Sequence, residues 1–333
     1  MKIREIVEGV SVSGQFLIVE NQMKVAKNGN SYLAMKIGDQ TGELAVKVWS
    51  ADEETFRHLE VGKVIEIQNI QPKLFKDQIQ LEWEAKNQAA YKIVPDGEAD
   101  YSRFLPTAPG NLNELWLRLT QYIDSVTESK LRHLLAFFFD DAKFAAHFMK
   151  VPAALKRHHA YIGGLLEHTV GVASLCAAAA AYYPLVNRDI LLTGAILHDI
   201  GKTKTYKLEK GFDGTDEGKL IGHLILGVEM VSQAVAQSFG PMDAAAESLK
   251  NTLLHLLVSH HGIMEWGSPV EPLTLEACIL HHADNMDAQV TKFLKVMRAE
   301  SNTVGWSAFD PGLGRSIWMN GMVREERELP EEA

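Results

Sequence analysis

The chain has 333 residues, 46% of them hydrophobic and 23% charged, with a formal net charge of -10 and only two cysteines. This composition suits a packed core of one or two domains and excludes a disordered or disulfide-stapled chain. The negative sum weighs against gripping polyanions through bulk charge alone, although local patches and bound cations matter more than the sum. Residues 1–20 carry Lys2, Arg4, Glu5 and Glu8 and no long apolar run, and the alanine-rich stretch 176–183 is short for a membrane span. A cytoplasmic setting away from membranes is expected.

The first ninety-odd residues have strand character. QFLIVEN (15–21) and YLAMKIG (32–38) are apolar with partial alternation, GDQTG (38–42) reads as a turn, and ELAVKVW (43–49) alternates with period two. ADEETFRHL (51–59) predicts a short helix with Ser50 as its cap, and KVIEIQNIQ (63–71) and QIQLEWEAK (78–86) alternate again. Five strands with one helical insert fit an OB-type barrel over 1–95, an SH3-like barrel or an irregular sandwich being the alternatives. Residues 96–112 are expected to form a linker, from their prolines and acidic residues.

From Asn111 the period changes to 3.6. Helices are predicted near 111–128, 129–138, 140–149, 163–183, 187–200, 220–238, 243–260 and 273–298, with 208–222 as an exposed loop. The fold class is therefore multidomain α and β, with an all-α domain over 113–322 and an acidic tail over 323–333.

Of thirteen histidines, all but His58 lie beyond residue 130. Several stand beside other ligand types: His168 in GGLLEHT, His198-Asp199 in ILHDIGK, His223 in LIGHLILG, His260-His261 in VSHHG, and Asp284 in LHHADNMDAQ, with Asp287 one helical turn on. The HD pair ends an oily helix, where an unpaired carboxylate costs several kcal/mol or takes up a proton. A divalent cation removes that penalty, and imidazole with carboxylate suits Mn, Fe, Zn, Co or Ni. His168 and Asp284 are candidates to complete one shell, and His223 and His260 a second, with Asp199 bridging. Two cations about 4 Å apart would clamp a phosphate and activate water. Lone histidines such as His133, His147, His255 and His281 read as ordinary hydrogen-bonded residues. Lys202 is placed to meet a phosphate, or else it faces solvent at a helix end. KRHHAYIGG (156–164) offers Lys156, Arg157, His158, His159 and Tyr161 to grip a backbone or stack a base, or else it is a charged cap.

The order His168, His198-Asp199, Asp284 resembles the HD metal-dependent phosphohydrolase superfamily. KRHHAYIGGLLEHT, AILHDIGKTKTY, IGHLILG, SHHGIMEWGSP and LHHADNMDAQ together resemble the YhaM-type 3′→5′ exoribonucleases, which place an OB-type domain ahead of an HD domain. The resemblance implies hydrolysis of single-stranded RNA from its 3′ end to nucleoside 5′-monophosphates, usually with manganese, and leaves single-stranded DNA open. It implies that His168, His198, Asp199 and Asp284 hold one metal and that His223, His260 and Asp199 reach a second, with His261 competing with His260. Mg, Fe, Co, Ni or Zn remain open as the ion. Lys202, with Arg157 or His159, would stabilise phosphoryl charge, and His261 or His159 would supply the leaving-group proton.

On the barrel, Phe16, Tyr32, Trp49 and Phe75 are candidate stacking residues, and Lys24, Lys27, Lys73 and Lys76 candidate phosphate contacts. Residues 1–96 nonetheless hold twelve Lys or Arg against fourteen Asp or Glu, so a positive groove requires segregation. A phosphohydrolase acting on nucleotides or cyclic dinucleotides, and a non-catalytic RNA-binding protein, are the rival readings. A homo-oligomer stays open.

Overall fold

The computed structural model describes residues 1–26, 29–75, 78–87, 89–105, 107–108, 110–155, 159–208, 212–300 and 303–320. Lys27, Lys76, Lys156, Arg157, His158 and the 323–333 tail lie outside them. Two compact units are resolved: Met1–Thr107 with Leu208–Asp213, and Ala108–Lys207 with the chain from Gly214 onward.

The first unit is one sheet of seven strands: β1 Val12–Val25, β2 Ser31–Asp39, β3 Gly42–Trp49, β4 Val64–Ile70, β5 Lys73–Phe75, β6 Gln78–Glu84 and β7 Tyr91–Val94, in the order β5-β6-β3-β2-β1-β4-β7. β1 is long enough to serve two neighbours. Residues from Leu17 to Val25 pair with β2, and those from Val12 to Leu17 pair with β4, with register shifts that let the strand bend. β3 pairs with β6 in parallel, and β6 pairs with β5, which follows β4 after only Gln71 and Pro72. Pro72 lacks an N–H and breaks one long strand into β4 and β5. The two halves pair with opposite ends of the sheet, which closes it in the OB manner. Alternation drives this closure: Leu44, Val46 and Val48 of β3 point inward with Phe16, Ile18, Leu33 and Ile65, all buried. Phe16 is wholly buried, so it fills the core and is not a surface stacking residue. Helix α1, Glu53–His58, is capped by Asp52, whose carboxylate accepts from the Thr55 N–H; Ser50 adopts φ +58° and does not cap.

The second unit is helical: α2 Leu112–Asp124, α3 Ser129–Phe139, α4 Ala142–Phe148, α5 Gly164–Tyr182, α6 Arg188–Leu197, α7 Lys202–Thr205, α8 Asp216–Leu220, α9 His223–Ser238, α10 Ala244–Ser259 and α11 Leu275–Ala299. The stretch expected as a loop holds a hairpin, β8 Tyr206–Leu208 with β9 Phe212–Gly214, followed by α8. A second hairpin joins β10 Val304–Trp306 to β11 Trp318–Asn320. α5 and α6 are apolar on nearly every side because they run through the core, against α2, α10 and α11. Among the described residues α5 alone has the length and hydropathy of a membrane span, yet Leu165, Val172 and Cys176 are packed inside.

Candidate metal centre

The HD pair lies where α6 stops. A helix end leaves carbonyls without partners, and the His198 ring folds back so that Nδ1 donates to the Ala195 carbonyl at 2.7 Å. His260 does the same at the end of α10, donating to the Leu257 carbonyl at 2.8 Å. A carbonyl can only accept, so in both rings Nδ1 carries a proton and donates it, which leaves Nε2 pointing inward. His168, inside α5, is held by the Asp287 carboxylate at 2.7 Å from its Nδ1. His223 opens α9 immediately after Gly222, whose φ of +84° turns the chain into the helix.

These nitrogens converge with two carboxylates. His168 Nε2 lies 3.2 Å from His198 Nε2, 3.1 Å from Asp284 Oδ1 and 3.5 Å from Asp199 Oδ2. Across the same carboxylate, Asp199 Oδ1 lies 3.4 Å from His223 Nε2 and 3.8 Å from His260 Nε2. His223, His260 and His261 bring their ligand atoms together as a second group. His261 donates from Nδ1 to the Trp266 carbonyl at 2.9 Å, so both adjacent histidines join the cluster.

The donor set fits divalent cations. Separations of 3.1–3.5 Å are the edges expected around an ion with ligand bonds of about 2.1 Å. Asp199 Oδ1 and His223 Nε2 are buried without a hydrogen-bond partner, an arrangement that costs free energy unless an ion joins them. Burial pulls the His223 imidazole down to about 4 and, with the charge of His198, holds His260 well below its usual value, so both are neutral donors. Burial opposes ionisation of Asp199 and Asp284, but Lys202 and the histidines around Asp199, and His168 beside Asp284, hold both carboxyls below the usual range. Burial alone would lower His168, but Asp284 and Asp287 lift it to about 10, so it holds a proton that a cation bound at Nε2 would have to displace.

Lys202 is buried with its Nζ 2.5 Å from Asp199 Oδ2. Burial would strip its proton, but the Asp199 charge more than offsets this and keeps the ammonium.

Close approach is needed to assemble these parts. A Cβ at Gly201 would lie 2.0 Å from the His223 carbonyl oxygen, so only glycine lets the HD turn meet the start of α9. A Cβ at Gly171 would lie 2.3 Å from Asp287 Oδ1.

His159 stands behind His168 rather than facing Asp199. Its Nε2 lies 3.0 Å from Asp287 Oδ2 and 3.1 Å from Thr291 Oγ1, and its Nδ1 lies 2.8 Å from the Tyr161 hydroxyl. That hydroxyl donates to Glu167, and burial and the Glu167 charge push it well above its usual pKa. His159 and Tyr161 therefore brace Asp287, which in turn orients His168. In the sequence the only signal for this role of Asp287 is its i+3 spacing from Asp284. Three of the histidines read as ordinary do make such bonds: His147 Nε2 meets the Thr203 carbonyl, His255 accepts from the Leu273 N–H, and His281 donates to the His260 carbonyl.

On the barrel, Lys24, Tyr32 and Trp49 form one cross-strand row, since Lys24 faces Tyr32 and Tyr32 faces Trp49. The Tyr32 and Trp49 rings are 5.1 Å apart, and Lys47 Nζ lies 4.2 Å from the Phe75 ring centre. Lys73 sits beside this row but is paired with Glu82 at 3.1 Å. A cavity of about 520 Å³ opens there, lined by Asn30, Trp49, Ser50, Lys73, Glu82, Trp83 and Glu84.

Residues 165–289 match the HD domain family, a span that runs from beside His168 to just past Asp287. The second unit is thus an HD domain, a helical scaffold for metal-dependent phosphohydrolase chemistry. The chain is 35% identical over 288 residues to the 3′-5′ exoribonuclease YhaM of Bacillus velezensis, covering 85% of this chain and 86% of that protein. With the YhaM of Bacillus subtilis it shares 34% identity over 281 residues, 83% of this chain and 84% of that one. The chain belongs to the YhaM 3′-5′ exoribonuclease family. Among solved structures, the OB domain of Ta0387 from Thermoplasma acidophilum matches 28% of this chain and 82% of its own, at 18% identity and a TM-score of 0.22. The barrel assignment rests on the strand order instead.

Proposed function

We propose that this chain is a metal-dependent 3′→5′ exoribonuclease that hydrolyses single-stranded RNA to nucleoside 5′-monophosphates, with manganese as the preferred ion. The observation that carries the reading is Asp199, whose two oxygens face two separate histidine groups. His168, His198, Asp284 and Asp199 Oδ2 would hold one cation; His223, His260, His261 and Asp199 Oδ1 would hold another. Bound there, divalent cations supply Lewis-acid charge that polarises a phosphodiester and makes water a competent nucleophile. Lys202 holds an ammonium against Asp199, in position to take charge that develops on a phosphoryl oxygen. Asp287, braced by His159, keeps His168 in the tautomer and orientation a ligand needs. Nothing in this route calls on a 2′-hydroxyl, so the chemistry leaves single-stranded DNA open as a second substrate. The Lys24, Tyr32, Trp49 and Phe75 face of the barrel supports the strand by stacking and charge. Two unpaired cysteines, one of them exposed, support a reducing, cytoplasmic setting.

The test uses 5′-labelled single-stranded RNA with chelator-stripped protein and added manganese. A ladder that shortens from the 3′ end only when metal is present supports the reading. Intact RNA alongside hydrolysed mononucleotides or cyclic dinucleotides would replace it with the small-nucleotide alternative. Asp199→Ala should fold and lose nearly all turnover; a folded variant with normal turnover contradicts the assignment.

A further inference from the structure

The second histidine group is flanked by exposed apolar side chains that the metal chemistry does not explain. On one side Leu220 and Ile221 precede His223, and Ile225 follows it; on the other, Ile263, Met264 and Trp266 follow His261. The His223 and His261 rings are only 5.2 Å apart, so both segments border the same end of the cage. Trp266 is 52% exposed and Met264 65%, although each lies within five residues of a candidate ligand.

The Trp266 segment is built, not loose. Its carbonyl accepts from His261, and its ring lies 6.0 Å from that of His281, which donates to the His260 carbonyl. Gly262, at φ +83°, leaves room for the His281 ring, which a Cβ there would meet at 2.1 Å. Ser268 closes the turn, its single hydroxyl proton lying within reach of the Val270 carbonyl at 2.7 Å and the Val258 carbonyl at 3.0 Å. An aromatic ring is thus held half open beside a site that, with cations bound, would suit a phosphodiester. A planar base one sugar away from that phosphate is the apolar group such a ring accommodates, and base–aromatic stacking tolerates every base.

We propose that Trp266 is a positioning residue that stacks the 3′-terminal nucleobase while the adjoining phosphodiester occupies the cage. This rests on the exoribonuclease reading and extends it: the terminal nucleoside is gripped by its base face, without regard to sequence.

The test compares RNA oligomers ending in a normal nucleotide, in an abasic ribose, or with the abasic site one position inward, for wild type, Trp266→Ala and Trp266→Phe, with bound metal measured in each. Wild type should favour the normal terminus by about tenfold in kcat/KM. Trp266→Ala should remove that preference, slow only the normal substrate and keep its metal; Trp266→Phe should restore most of it. Undiminished preference in Trp266→Ala, an equal loss on all substrates with metal released, or sensitivity only to the inward abasic site overturns the proposal. Wild type that shortens no RNA refutes the exoribonuclease reading, and the stacking role with it.

Discussion

Replacing Gly201 with alanine should damage the metal centre without touching a ligand. The added Cβ would sit 2.0 Å from the His223 carbonyl oxygen and 2.6 Å from the Gly227 nitrogen, whereas ordinary contact begins at 3.4 Å. Both neighbours are backbone, so the start of α9 must retreat by about 1.4 Å, at an overpacking cost of about 1–3 kcal/mol. His223 moves with it, away from the Asp199 Oδ1 it now faces at 3.4 Å. A displacement of about 1 Å in a catalytic constellation costs on the order of 100-fold in rate. The assay is metal content per folded chain after dialysis, together with the rate of 3′ shortening. Gly201→Ala should lose metal from the His223 group and most of its turnover. Gly227→Ala is the control, because a Cβ there meets its nearest atom, the Gly201 nitrogen, at 3.5 Å. Wild-type metal content and turnover in Gly201→Ala, or an equal loss in both variants, would refute the steric reasoning.

Asp287→Ala should weaken metal binding by about 10–100-fold by freeing His168, as measured by calorimetric titration; unchanged affinity would remove Asp287 from the centre. Trp49→Ala should weaken binding of single-stranded RNA by about tenfold in fluorescence anisotropy while metal content holds; equal affinity would discount the barrel face. Asp189 takes hydrogen bonds from the Thr127 N–H and hydroxyl and the Glu128 N–H, at 2.7–2.8 Å. Burial raises its carboxyl, but these bonds and Arg188 more than offset it and hold it below the ordinary value. Its contribution is therefore present above the unfolded pKa near 4 and is lost as pH falls through the lower folded value. Asp189→Ala should cost about 1–3 kcal/mol in denaturant unfolding at neutral pH, with the gap closing in acid; a gap that widens there contradicts the sign.

Much of this architecture was legible because its signals are local. Period-two alternation in ELAVKVW marks an inner face of Leu44, Val46 and Val48, and the order His168, His198-Asp199, Asp284 marks side chains that converge in the fold. What escaped depends on where side chains point. Phe16 and Tyr32 look alike as aromatic residues in strands, yet one fills the barrel and the other faces Trp49 outside it. The β8–β9 hairpin has strands of only three residues, too short for periodicity to show. The brace from His159 through Asp287 to His168 spans residues 128 and 119 positions apart, beyond any spacing rule. The steric role of Gly201 exists only because α9 arrives against it, which no local signal reports.

The most direct measurement is anomalous diffraction from crystals grown with manganese. Two peaks are predicted, one among His168, His198, Asp199 and Asp284 and the other among His223, His260, His261 and Asp199, with the Asp199 carboxylate between them. Manganese bound elsewhere on the chain, with no peak against Asp199, would contradict the account.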